Sequence, residues 1–237
     1  MAELKIYAKP SSLYRYRSLL TNAQQELDAL RQGYIYCPAY SMMNDPMEGT
    51  YRLSTRLSSM AGGEKSPARV QSALETMGIA SMSEVYDHEP MWAHYADEFK
   101  GMCIQYSLNR LLKGLGPEIA LTRMMYSERE PVLLDDRSNS VDRARLCLSS
   151  KTVRWASERE WRLFKVEQGA AHYEDLNTVT RIYLGSRINA DDEAAVCDVG
   201  RTLRVPVVKM AIEAYAITFK PVLNILRLPK RNRRQVS

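Results

Sequence analysis

Strand-like runs follow one another so closely along this chain that a crossover helix cannot fit between every pair, and that spacing limits the fold more than any other feature. Residues 13–17 alternate apolar or aromatic with basic side chains. Tyr34–Cys37, 78–85, 101–106, 121–126 and 178–184 read as further strands, and 207–212 with 214–219 as short strands that suit a hairpin. Helical periodicity falls on 22–31, 68–77, 91–98, 138–150 and 191–203. In the first of these, Thr21 or Asn22 suits the N-cap, Leu27 and Leu30 give an apolar stripe, and Gly33 stands where a left-handed C-cap is favoured. Strands and helices mix without strict βαβ alternation. The class expected is α+β, with mixed, mostly antiparallel sheets.

A chain of 237 residues with 45% hydrophobic and 26% charged side chains can bury a sizeable core. A single domain over 1–228 is expected, followed by a basic tail over 229–237. No run approaches the roughly 18 apolar residues of a membrane span, and the first residues lack the apolar stretch of a secretory signal. A cytoplasmic protein without membrane contact is the expectation. Cys37, Cys103, Cys147 and Cys197 are scattered and read as reduced core thiols; His88, His94 and His172 do not stand at metal-ligand spacing. The net charge of +5 owes much to Lys230, Arg231, Arg233 and Arg234 in the tail. That tail suits nonspecific contact with nucleic acid, or simply solubility.

Glu158-Arg159-Glu160 lies between Trp155 and Trp161. On a strand, period two would set both carboxylates on one face, about 7 Å apart at Cα. Such a pair suits chemistry at a sugar, one carboxylate stabilising positive charge on a ribose carbon and the other orienting a nucleophile. On a helix, Glu158 would instead pair with Arg162 as a surface ion pair. The two tryptophans read as core packing that holds the glutamates rigid.

Other polar islands stand apart from this pair. Arg15 and Arg17 alternate with Tyr14 and Tyr16, so one set faces any pocket and the other faces core or solvent. Asn44-Asp45-Pro46 is a turn former. Ser81 and Ser83 share a strand face. Trp92 and Tyr95, three apart on a helix, suit core packing or stacking on a planar ring. His94 suits a proton carrier near neutral pH, or a surface ion pair with Asp97 or Glu98.

Taken in order, the islands around 13–18, 44–49, 81–84, 91–101 and 151–162 resemble a widespread bacterial family catalogued only as domain of unknown function 2971. More distantly, an arginine on a first strand, Ser-x-Ser on a middle strand and Glu-x-Glu on a late one are similar to the ADP-ribosyltransferase superfamily. That resemblance implies sheets forming a central cleft flanked by helices, with NAD as cofactor. It implies that Arg15 or Arg17 grips phosphate or ribose, that Ser83 supports the nicotinamide ribose, and that Glu160 stabilises the oxocarbenium while Glu158 positions the acceptor. Tyr16, Asn44, Asp45, Ser81, Trp92 and Tyr95 join the candidate cofactor-binding set, and His94 the catalytic one.

The function expected is transfer of ADP-ribose to a protein or nucleic acid, as a toxin or phage-defence effector with a possible cognate inhibitor protein. The alternative is a noncatalytic nucleic-acid- or protein-binding module using arginine-rich faces and the basic tail. A third reading, a metal-independent hydrolase acting through His94 and Glu160, needs a histidine partner that the sequence does not supply.

Overall fold

A computed structural model describes residues 9–59, 65–133 and 139–224; the basic tail at 230–234 and the start of the 138–150 helix lie outside them. In chain order the elements begin with β1 (Ser12–Arg17), α1 (Ala23–Gln32), β2 (Tyr34–Cys37), β3 (Arg52–Leu53), α2 (Thr55–Ser59) and α3 (Lys65–Thr76). Next come β4 (Gly78–Ser83), α4 (Glu89–Tyr95), β5 (Met102–Ser107), α5 (Leu108–Gly114), β6 (Ala120–Arg123), β7 (Met125–Ser127) and β8 (Val132–Leu133). The last are α6 (Ser140–Leu148), β9 (Ser150–Thr152), β10 (Glu160–Lys165), β11 (Gly169–His172), β12 (Val179–Leu184), α7 (Ala190–Leu203), β13 (Val207–Glu213) and β14 (Ala216–Leu223).

Eight strands form one sheet in the order β14-β13-β12-β5-β1-β4-β10-β6. Every neighbouring pair is antiparallel except β12 with β13, whose connection runs through α7. The α+β class and the mostly antiparallel pairing therefore hold. The last two strands form the expected hairpin.

Alternation along each strand splits the core between two faces. On one face Leu13, Met82, Ile104 and Leu163 pack with α1, α5, α7 and β2 in a continuous apolar layer. The opposite face carries two separate clusters. Ile79 and Phe164 pack with α2, α3 and α6 at one end, and Tyr16, Cys103 and Tyr183 pack with α4 at the other. The four cysteines are free and buried, as a core thiol should be.

Between those two clusters the sheet opens. β1 and β4 share a single paired position, Tyr14 with Ser83. Further along, the Ile79 N–H donates to the Pro38 carbonyl at 2.8 Å, and Ala39 bridges Gly78. The segment after β2 thus takes the place beside β4 that β1 leaves, and the strands splay apart.

Several boundaries differ from the sequence expectation for local reasons. Asn22 stands at the N-cap of α1, yet its side chain makes no capping bond; Gly33 does cap the other end, at φ 71° with its N–H on the Ala29 carbonyl. The run 121–126 breaks at Met124, whose N–H donates to the Glu160 carbonyl, so that β6 pairs with β10 and β7 with β9. Glu158 is not on a strand. It ends a 3-10 helix over Val153–Glu158, and β10 starts only at Glu160. Between them Arg159 takes a left-handed conformation, φ 46° and ψ 48°, which a non-glycine residue adopts at some cost.

Candidate functional site

The left-handed turn at Arg159 achieves by a different route what period-two alternation was expected to do. It reverses the chain so that both glutamates reach one point, and that point is held by Lys151. The Lys151 ammonium donates to Glu158 Oε2 and Glu160 Oε2, each at 2.9 Å, with its side chain only 2% exposed. Trp155 lies beneath it, 4.7 Å from Nζ to the ring centroid. Lys151 is delivered by β9, whose parallel ladder with β7 pairs it with Tyr126. The Tyr126 hydroxyl in turn accepts the Glu160 N–H at 2.8 Å.

Arg162, two residues along β10 on the same face, completes the cluster. It donates from Nε to Glu160 Oε1 at 2.7 Å, from Nη1 to Glu48 Oε2 at 2.6 Å, and again from Nη1 to the Leu148 carbonyl at 2.7 Å. Three carboxylates, Glu48, Glu158 and Glu160, thus face two cations. Burial would raise the pKa of Glu160, but Arg162 and Lys151 outweigh it and bring it down to about 2. For Lys151 and Arg162 burial works against the charge, and the facing carboxylates win, raising both above their ordinary values. Glu160 is therefore a fixed anion rather than a proton donor.

Glu158 is tied from the other side. Tyr95 on α4 donates its hydroxyl to Glu158 Oε1 at 2.7 Å and accepts a bond from Asn44 Nδ2 at 3.1 Å. Burial first, and then the charge of Glu158, raise the Tyr95 pKa, so the phenol stays a donor. Three distant stretches meet in this chain of bonds.

A cavity of about 230 Å³ opens here, in the gap between β1 and β4. Arg15, Tyr16 and Arg17 line it from β1, Ser81 from β4, and Asn44, Tyr95, Lys151, Glu158 and Glu160 from the acidic side. Arg15 is 6% exposed; its Nη2 donates to the Tyr36 carbonyl at 3.0 Å, and its buried Nη1 has no partner among the described residues. Burial and then the neighbouring Arg17 lower its pKa. A second, smaller cavity of about 140 Å³, lined by Asp45, Thr50, Ser127 and Thr152 among others, also reaches Lys151.

The expected site residues divide into those that meet and those that do not. Arg15, Tyr16, Arg17, Asn44, Ser81, Tyr95, Glu158 and Glu160 surround one cavity. Alternation places the Tyr16 side chain on the face of Ser81 and Glu160, and the arginines on the other, where Arg17 pairs with Glu26. Ser83 is a correction: its hydroxyl donates to the Glu158 carbonyl at 2.7 Å and accepts the Val85 N–H, so it pins the turn and does not line the cavity. Asp45 is another. It is buried, accepts the Met47 N–H at 3.0 Å, and shapes a turn beside the smaller cavity.

Trp92 cannot stack on a ligand, being fully buried against Tyr16 with its indole N–H on the Tyr86 carbonyl. His94 is exposed and outside the cavity, and Lys100 takes Asp97 and Glu98 in the surface pairs that the histidine was expected to make. The helical pairing of Glu158 with Arg162 also fails, since Arg162 faces Glu160 and Glu48. Trp155 and Trp161 are only half-buried; Trp161 donates its indole N–H to Glu84.

Lys151, Arg162, Glu48 and Tyr126 were not among the expected site residues. Glu48, Lys151 and Arg162 fall within polar islands already visible in the chain, whereas Tyr126 ends the strand-like run 121–126. Arg162 carried the plainest signal, a charge in the inward-facing set of a strand that continues with Phe164.

A family model described as a protein of unknown function, DUF2971, matches residues 91–163. The matched stretch runs from α4 into β10 and so holds Tyr95, Lys151, Glu158, Glu160 and Arg162, but not β1, Asn44 or Ser81. No curated protein and no solved structure matches the chain.

Proposed function

We propose that the protein is an ADP-ribosyltransferase-like enzyme that binds NAD in the cavity between β1 and β4 and transfers ADP-ribose to a protein or nucleic-acid acceptor. One observation carries the reading: two glutamates converge on a cavity that runs through the gap between β1 and β4 toward Arg15 on the other face of the sheet, whose buried Nη1 has no partner among the described residues. In the reaction the bond between ribose C1′ and nicotinamide breaks, and nicotinamide leaves with the bonding pair. An acceptor oxygen or nitrogen forms the new bond to C1′ and gives up its proton to solvent water. The cationic ribose between these events is stabilised by a carboxylate that is already ionised and held in place.

Glu160 fits that stabilising role, since Arg162 and Lys151 keep it anionic. Glu158, bonded to the Tyr95 hydroxyl through Oε1, is the residue that would orient the acceptor. Arg15 Nη1, without a partner among the described residues, is the donor that would take a phosphate or ribose oxygen, and a guanidinium matches phosphate well. Tyr95, half-buried and lining the cavity, is an aromatic group of the expected set left at its wall. At about 230 Å³ the cavity is smaller than the roughly 300–1,000 Å³ of a drug-sized pocket, so it suits the nicotinamide ribose end while the adenosine extends outward. The single paired position between β1 and β4 leaves a gap in the sheet, which supports the reading of a cleft there.

The test is to incubate the full chain with NAD and measure nicotinamide release and NAD binding by calorimetry. Release that Glu160→Gln lowers on the order of 100-fold, with NAD still bound, supports the reading. Absence of both binding and release, or full activity in Glu160→Gln, ends it.

A further inference from the structure

We propose that Lys151 is the positioning residue of the acidic pair: its one ammonium, placed between two buried carboxylates, sets their separation and offsets their mutual repulsion. The inference deepens the reading above and depends on it only for what the pair does to a substrate. Both contacts go to Oε2 atoms at 2.9 Å, so those two oxygens lie within the reach of a single nitrogen. Two buried carboxylates that close, with nothing between them, share a proton instead of ionising together. Arg162 does not relieve this, because its donors go to Glu160, Glu48 and Leu148 and none goes to Glu158.

The surroundings of the ammonium support the assignment. Glu158 faces it from the 3-10 helix, Glu160 and Arg162 from β10, Tyr126 from β7 and Tyr95 from α4, with the Trp155 ring below. Asp45 lies across the smaller cavity, which Lys151 also borders. No other cation among these groups reaches both glutamates. A lysine bound this tightly is not a nucleophile or base, and it would act on the reaction only through the carboxylates that it holds.

The experiment compares Lys151→Met, Lys151→Arg and the double variant Lys151→Met/Glu158→Gln in the full chain labelled with ¹³C at the glutamate carboxyls. In Lys151→Met one carboxyl signal of the pair titrates at higher pH than in the native chain, as expected of two close carboxylates that share a proton. The double variant, which restores the native charge balance, loses that shift. Nicotinamide release in Lys151→Met falls on the order of 100-fold at low pH and recovers in part as pH rises, and Lys151→Arg returns it to within about tenfold.

An unchanged carboxyl titration in a folded Lys151→Met overturns the proposal. If Lys151→Met does not fold, the double variant decides. It regains a native melting transition if the lysine separates two repelling acids, and stays unfolded if the lysine stem is only a piece of core, which also overturns the proposal. Failure of the native chain to release nicotinamide or bind NAD ends the transferase reading but leaves the carboxyl titration to decide the role of Lys151.

Discussion

The two charged regions that border the cavity are built on opposite terms. Around Lys151 and Arg162, every carboxylate has a cation at hydrogen-bond distance and every cation has at least two anionic oxygens. On β1, Arg17 has Glu26, but the Arg15 guanidinium rests on a backbone carbonyl, with a second buried nitrogen unpartnered among the described residues. Desolvating a charge costs free energy that only a partner can offset. The acidic cluster is thus complete in itself, while Arg15 keeps unspent capacity for an anion. The difference teaches where a ligand would act on this protein: it would find the carboxylates already fixed, and would complete the arginine.

The harshest way to break the comparison is to remove a cation from the complete side. Arg162→Met leaves Glu48 without its guanidinium and Glu160 with Lys151 alone, and breaking a buried pair by deleting one partner costs about 3–5 kcal/mol. Guanidinium denaturation should show a loss of that size. A change below about 1 kcal/mol, the range of a surface pair, would mean that the cluster is far less cooperative than its geometry.

Acid probes the same side more gently. The pKa of Glu160 is depressed in the folded chain, from 4.5 to about 2. The stability it contributes is therefore present above the unfolded value and is lost as pH falls through the window from 4.5 to about 2. Integrated over that window, the loss is about 3 kcal/mol. Denaturation curves measured down this range should steepen their decline there, and Glu160→Gln should flatten it. An acid limb identical in the two proteins would show that other carboxylates govern acid unfolding.

How much of this was legible before the fold is itself a lesson in range. Local chemistry was readable: Gly33 ends α1 in the left-handed conformation its lack of a side chain permits, and the alternation of Tyr and Arg on β1 does send the two sets to opposite faces. The convergence of Glu158 and Glu160 was also foreseeable, though for the wrong reason. A strand was expected, and the chain uses a 3-10 helix and a left-handed Arg159 instead. Nothing in the residue type of Arg159 announces that conformation; it is held by bonds from Ser83 to the Glu158 carbonyl and from the Glu84 N–H to the Arg159 carbonyl, made by the end of β4 and the residue after it. Lys151 and Glu48 were hidden for a related reason. Their partners lie on other elements, and only the parallel pairing of β7 with β9 and the close packing near Leu148 bring them in.

The smallest expected effect on stability is also the sharpest test of the contrast. Arg15→Met replaces a buried, incompletely partnered cation by an apolar chain of similar length, surrounded by Tyr106 and Cys37. The hydrogen bond to Tyr36 is lost, worth about 1 kcal/mol, but so is the desolvation of a charge that Glu26, bonded to Arg17, offsets only through space. Those contributions oppose one another, and the melting curve should move by less than about 1 kcal/mol in either direction, unlike that of Arg162→Met. NAD binding should respond the other way round: calorimetry should register its loss in Arg15→Met. If Arg15→Met destabilises the chain as severely as Arg162→Met, the arginine has a structural partner of comparable weight and the asymmetry between the two walls of the cavity disappears. If it is neutral and NAD binding is also unchanged, the open guanidinium faces no ligand, and the anion must be sought elsewhere on the cavity wall.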